Sequence, residues 1–138
     1  MVMTGTLVRL ALALVLIAAI LGTYRALTAL VLSRAGKNDR GLLPFRPGTP
    51  GVIFFTTPDC VTCKAAQRPA LAELADRMPG SVQVIEVDAL DNAALAREWS
   101  VLSVPTTFVL DRNGTPRQVN HGFASTEKLL GQIVALRT

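Results

Sequence analysis

The sequence predicts an α/β domain, a three-layer α/β/α sandwich around a mixed four-stranded sheet, preceded by one N-terminal transmembrane helix. Three observations lead there: an uncharged apolar run near the amino terminus, strand and helix periods that alternate from residue 51 onward, and a Cys-x-x-Cys pair where the first strand passes into a helix. At 138 residues the chain has room for one domain of ordinary size plus an appendage. Its hydrophobic share of 50% exceeds that of most soluble domains, and the excess lies at the front.

Leu10 to Gly22 carries no charge, and after Thr23, Tyr24 and Arg25 the apolar character resumes as far as Leu32. A helix needs about 20 residues to cross the hydrocarbon core, so residues 1–32 are predicted as a membrane anchor, with Arg25 snorkelling or facing a partner. A cleaved signal peptide is the rival reading, but the start has one basic residue and no clear A-x-A site follows the run. Arg25, Arg34, Lys37 and Arg40 follow the uncharged run, whereas only Arg9 and the amino terminus precede it. That bias favours a single-pass protein with its domain on the cytoplasmic side of the cell membrane. Residues 1–50 hold a net +5 and the remainder −1, so the basic character belongs to the anchor and its flank. A nearly neutral domain with few aromatics offers no footprint for nucleic acid.

Residues 33–50 mix charges with three glycines and three prolines, which breaks any regular period and predicts a tether. Leu42 to Phe45 could dock onto the domain as an edge strand or plug. The domain is predicted over residues 51–138. Val52 to Phe55 is a continuous β-prone run, suited to a strand buried on both faces. Cys60 to Met78 is an amphipathic helix by its Leu71, Leu74 and Met78 spacing, ended by Pro79 and Gly80. Val82 to Asp88 supplies a second strand, Asn92 to Trp99 a second helix, and Trp99 the contact that packs that helix onto the sheet. Thr106 to Asp111 and Thr115 to Asn120 form a hairpin around Asn113-Gly114, and Thr126 caps a last helix to Leu136.

The two cysteines are the only ones in the chain and stand three residues apart. A disulfide closing so small a loop restrains the unfolded chain very little, so the spacing suits reversible chemistry better than stapling. Cys60 falls where the loop enters the helix, near unpaired N–H groups and the positive dipole end, which favours thiolate over thiol. It is the expected attacking sulfur. Counting back from Met78 through Leu74, Leu71 or Ala70, and Ala66 or Gln67 reaches Cys63, which falls on the buried stripe, placed to resolve a mixed disulfide. Lys64 would help a thiolate. Asp59 is expected as the N-cap, competing for the same N–H groups and repelling negative charge.

With these residues in hand, residues 51–138 resemble the thioredoxin family, in its membrane-anchored branch. The resemblance rests on VIFFTTPDCVTCK after a strand, on VIEVDALDNAALAREWSVLSVPTTFVLDRNG, and on His121-Gly122-Phe123 before the last helix. It implies a thioredoxin-like sandwich and a thiol-disulfide oxidoreductase that exchanges disulfides with protein substrates, served by an upstream redox partner and no cofactor. It further implies a cis bond at Pro105 within Val104-Pro105-Thr106, with Val104 backbone groups pairing an incoming peptide and Gly122 lining the same groove. The chain departs from the family in several places. Asp59 replaces a common tryptophan, Phe54 a buried acid and Val84 the lysine that partners it, while Pro69 comes one residue late in the helix. The family's first strand and helix are lacking too, unless Leu42 to Phe45 supplies a remnant.

Other readings are weaker. Zinc takes four ligands, and His121 is the only further nitrogen or sulfur donor of the usual kind. His121 itself is more simply a surface imidazole than a proton shuttle. GKNDRG lacks the spacing and ending of a phosphate loop. The competitor from another class is a binding or scaffolding module on the same fold, with idle cysteines.

Overall fold

The structure, a computed structural model, describes residues 2–35 and 44–136. It divides into two compact units, Met1–Val31 and Leu32–Thr138. The first unit belongs to helix α1 (Val2–Arg34), whose segment Gly5–Arg34 is long and apolar enough to cross a membrane, with a mean hydropathy of 2.3. Its large side chains, from Leu7 through Ile17 to Leu27, stand exposed on every face of the helix among the described residues. Length and apolar character of this kind are shared by membrane spans and signal sequences.

In the second unit the elements run β1 (Gly51–Thr56), a π-helical turn (Cys63–Gln67) leading into α2 (Arg68–Arg77), β2 (Gln83–Asp88), α3 (Ala93–Glu98), β3 (Thr106–Leu110), β4 (Pro116–His121) and α4 (Thr126–Ala135). The sheet order is β2-β1-β3-β4. β1 pairs parallel with β2 and antiparallel with β3, and β3 pairs antiparallel with β4, giving the mixed four-stranded sheet. Every residue of β1 is buried, because the strand is central and covered on both faces. On one face Val52 and Phe54 meet Leu71, Leu74, Leu129 and Ile133 of α2 and α4. On the other, Phe55 and Phe108 pack against Trp99, at ring centroid distances of 6.1 Å and 4.9 Å. Trp99 thus docks α3 on the sheet, at the cost of a buried indole N–H with no partner among the described residues.

Local chemistry differs from expectation in three places. Ser125, not Thr126, caps α4: its hydroxyl accepts from Lys128 N–H, while the Thr126 hydroxyl lies over α2 and bonds Ala70 O and Glu73. The serine has the extended backbone a cap requires, and the threonine already lies inside the helix. The helix expected from Cys60 opens with a turn in which Cys63 O accepts the N–H of Arg68, five residues on. A π turn holds one residue more than an α turn, which absorbs the late arrival of Pro69 and widens the helix where the proline ring would crowd the carbonyl of Ala65. The docking segment, expected as an edge strand or a plug, is no strand at Pro44 to Arg46. Phe45 instead lies half-buried against Gly51 and Gly114, where any Cβ would come within 3.3 Å of its ring. Gln83 fastens the next residue, accepting from Arg46 N–H and donating to Arg46 O. Leu42 and Leu43 lie outside the described residues.

Two backbone features carry stability predictions. After α3, Ser100 N–H bonds Arg97 O and Val101 N–H bonds Ala96 O, a Schellman ending with Ser100 at φ 54°. Glycine adopts that conformation without strain, so Ser100→Gly is expected to raise unfolding free energy by about 0.5–1 kcal/mol, read by urea denaturation of the detergent-solubilised protein. In the β3–β4 turn, Asp111 accepts from the N–H groups of Asn113 and Thr115 and from Arg117 Nε. Burial pushes its carboxyl up, but the bonds from Thr115, Arg117 and Asn113 and the Arg117 charge outweigh it and hold the carboxyl below its ordinary 3.8. The unfolded chain therefore binds the proton more tightly, and the stabilisation is full above 3.8 and lost as pH falls through the folded value. Asp111→Ala should cost about 1–2 kcal/mol at neutral pH, with the gap to the unaltered protein closing in denaturation curves taken at progressively lower pH.

Candidate active site

The strand register brings three segments to one end of the sheet. β1 runs out at Thr56 toward Cys60. Phe55 pairs with Thr106, the first residue of β3, and Thr106 pairs on its other side with His121, the last of β4. Antiparallel neighbours thus place the loop bearing the cysteines, the turn ending at Pro105, and Gly122 at the same edge of the molecule.

Cys60 and Cys63 are joined by a disulfide, with Cα atoms 5.3 Å apart. Cys60 is the true N-cap. Its carbonyl accepts the first helical bond from Lys64 N–H, and its Sγ accepts the N–H of Cys63 at 3.2 Å. The sulfur therefore fills the place expected for the Asp59 carboxylate, which stands exposed beside it. An acceptor on the N-cap side chain is held by an otherwise orphan N–H, and a thiolate there gains from both that bond and the dipole. Cys63 is completely buried in the core cluster with Phe54, Leu71 and Leu74, while Cys60 packs partly exposed against it. One sulfur is reachable and the other recessed.

The remaining predicted residues fall around this pair. Val104 packs, half-buried, on the same cluster as Cys60 and Cys63. The Val104–Pro105 bond is cis, and Pro105 and Thr106 are buried. The Thr106 hydroxyl donates to Ser103 O at 2.7 Å, tightening that turn. Gly122 has φ +85°, a conformation that favours glycine, and donates its N–H to Pro105 O at 2.8 Å. Lys64 points outward, as do His121 and, in part, Phe123. Phe54 lies in the core beside Cys63, whereas Val84 is 38% exposed on β2. No group of three or more metal-ligating side chains occurs among the described residues.

Gln67, met in the sequence only as a position on the buried stripe, has a role that the stripe did not suggest. It is fully buried, its Nε2 donates to Ala124 O at 3.1 Å, and its Oε1 accepts from Ala124 N–H at 2.9 Å. The available signal was a polar side chain four residues after Cys63 on an otherwise apolar stripe.

Comparison with known proteins agrees with this geometry. The thioredoxin family model matches residues 46–135. A thioredoxin of Methanocaldococcus jannaschii is 36% identical over 58 residues, covering 42% of this chain and 67% of that protein. A thioredoxin of Bacillus subtilis is 32% identical over 81 residues, covering 57% and 76%. Among solved structures, thioredoxin-2 of the malaria parasite superposes with a TM-score of 0.58 at 28% identity, over 63% of this chain and 82% of that one. Oxidised mitochondrial thioredoxin 3 of Saccharomyces cerevisiae gives 0.55 at 26%, over 62% and 77%. The chain belongs to the thioredoxin family, and its Cys60–Cys63 pair makes it a thiol-disulfide oxidoreductase.

Proposed function

We propose that this protein is a membrane-tethered reductant of protein disulfides, working from the cytoplasmic side. The observation that carries the chemistry is the unequal setting of the two sulfurs, Cys60 accepting an N–H at the helix start and Cys63 sealed behind it. In the dithiol form, the Cys60 thiolate attacks one sulfur of a substrate disulfide. The substrate S–S bond breaks, a mixed disulfide forms, and the second substrate sulfur leaves as thiolate. Cys63 then attacks Cys60 Sγ and releases the first substrate sulfur, its own proton passing to a departing thiolate. Two electrons have moved from the protein to its substrate, and a dithiol protein upstream restores the pair.

Val104 would pair the incoming peptide through its backbone, beside Pro105, Thr106 and Gly122, with Asp59 and Lys64 setting the charge around Cys60. Phe54 and Val84 leave no acid–lysine pair to handle the Cys63 proton, so water and the leaving thiolate must do so. The anchor is α1, whose apolar length exceeds the bilayer requirement of about 20 residues. Arg25 and Arg34 in the C-terminal part of that helix, with Lys37 and Arg40 after it, argue for a cytoplasmic domain. A reducing compartment would keep the pair as dithiol.

Two experiments test this. Cys63→Ser should accumulate mixed disulfides through Cys60, seen as dithiothreitol-sensitive adducts on non-reducing gels, while Cys60→Ser forms none. Absence of adducts, together with no insulin-disulfide reduction by the unaltered protein, would leave only a binding module on this fold. A compartment-sensitive reporter fused after Thr138 should sediment with membranes and be active only if cytoplasmic. A soluble or externally active fusion would overturn the tether or its orientation.

A further inference from the structure

We propose that Gln67 is a positioning residue that locks the Gly122–Ala124 loop to the helix bearing Cys63 and so sets the shape of the substrate groove. The inference rests on the oxidoreductase reading above and adds a residue to it. Gln67 has no exposed surface, and Ala124, whose backbone it pairs, has none either. Its carboxamide meets both polar groups of that one residue, N–H and C=O, as a neighbouring strand would. Only this orientation of the amide satisfies both, since the reverse would set donor against donor and acceptor against acceptor.

The connection continues in both directions. Gln67 closes the π turn that begins at Cys63, so backbone joins it to the recessed sulfur through a single turn. Two residues before Ala124, Gly122 donates its N–H to Pro105 O at 2.8 Å. Cysteine helix, glycine loop and proline turn are thereby tied in series, with Gln67 supplying the side-chain link from the helix to Ala124. Phe123, held between the two anchored residues, is 49% exposed and lines a shallow groove with Ala66 and Pro69. Loss of the carboxamide would leave two buried backbone groups unpaired, with no route to water short of moving the loop. Such a movement displaces Gly122 and Phe123, and leaves the N–H that serves Cys60 in place.

Full-length, detergent-solubilised Gln67→Met, similar in length and unable to pair, tests the claim. Reduction of insulin is compared with reduction of 2-hydroxyethyl disulfide, a substrate too small to fill a groove, both driven by dithiothreitol. KM for insulin should rise about tenfold, with kcat and the hydroxyethyl disulfide rate within about twofold. Amide exchange at Gly122 and Ala124 should quicken about tenfold or more, with Ile133 in α4 unchanged. Gln67→Glu, whose carboxyl stays protonated at so buried a position and can still accept from Ala124 N–H and donate to Ala124 O, should show the same pattern more weakly and serves if the first variant does not fold. Equal loss with both substrates would overturn the proposal, as would uniform exchange across the domain, or quickened loop exchange with unchanged KM. If the unaltered protein reduces neither substrate, the oxidoreductase reading fails, and the exchange measurement alone still decides whether Gln67 holds the loop.

Discussion

β1 is buried at all six positions, and a strand so enclosed can satisfy its backbone only by pairing along both edges. That constraint organises the domain. β2 takes one edge in parallel and β3 the other in antiparallel sense, so the crossover from β1 to β2 must travel by a helix, and the cysteines sit at the start of that crossover. The same pairing sets the start of β3 beside the end of β1, which brings Pro105 and, through β4, Gly122 to the cysteine end of the sheet. The site is a consequence of strand register before any side chain is considered.

Apolar burial holds this arrangement, and charge does so only slightly. Phe54, Phe55 and Phe108 are fully buried, each worth about 1.5–3 kcal/mol by transfer. The ion pairs Arg68–Glu86, Arg77–Glu73 and Arg77–Glu127 have side chains 43% or more exposed, where solvent and salt screen such pairs and they add little. Phe54 puts an aromatic ring, which cannot carry a proton, in the same core cluster as the recessed sulfur. The core around Cys63 is apolar, and the buried polar side chain of consequence near it is a glutamine that cannot titrate.

Glutamine serves twice as a backbone surrogate. Gln67 pairs both groups of Ala124 near the disulfide, and Gln83 pairs both groups of Arg46 at the start of β2, donating also to Thr49 O. Each carboxamide joins a segment of irregular backbone to a regular element. The first fixes a loop at the working end of the sheet. The second, with Phe45 seated against Gly51 and Gly114, fixes the segment entering β1 at the end of the sheet away from the cysteines.

The order of strands and helices, the long apolar helix at the front and the pairing of Cys60 with Cys63 were legible in the sequence, because each is written in local periods and spacings of a few residues. The buried stripe of α2 correctly put Cys63 inside, since the 3.6-residue repeat carries that information. Caps were less legible: Asp59 and Thr126 are good capping residues by type, yet Cys60 and Ser125 do the work, because the exact residue at which the backbone turns helical is decided by packing. The late Pro69 announced an irregularity without revealing its form, which the π turn supplies. Only the tertiary structure decided that Gln67 meets Ala124, 57 residues away, and that Pro105 and Gly122 share a hydrogen bond. Such contacts depend on how separate elements stack in space, and no pattern of neighbouring residues along the chain encodes which partner a buried amide will find.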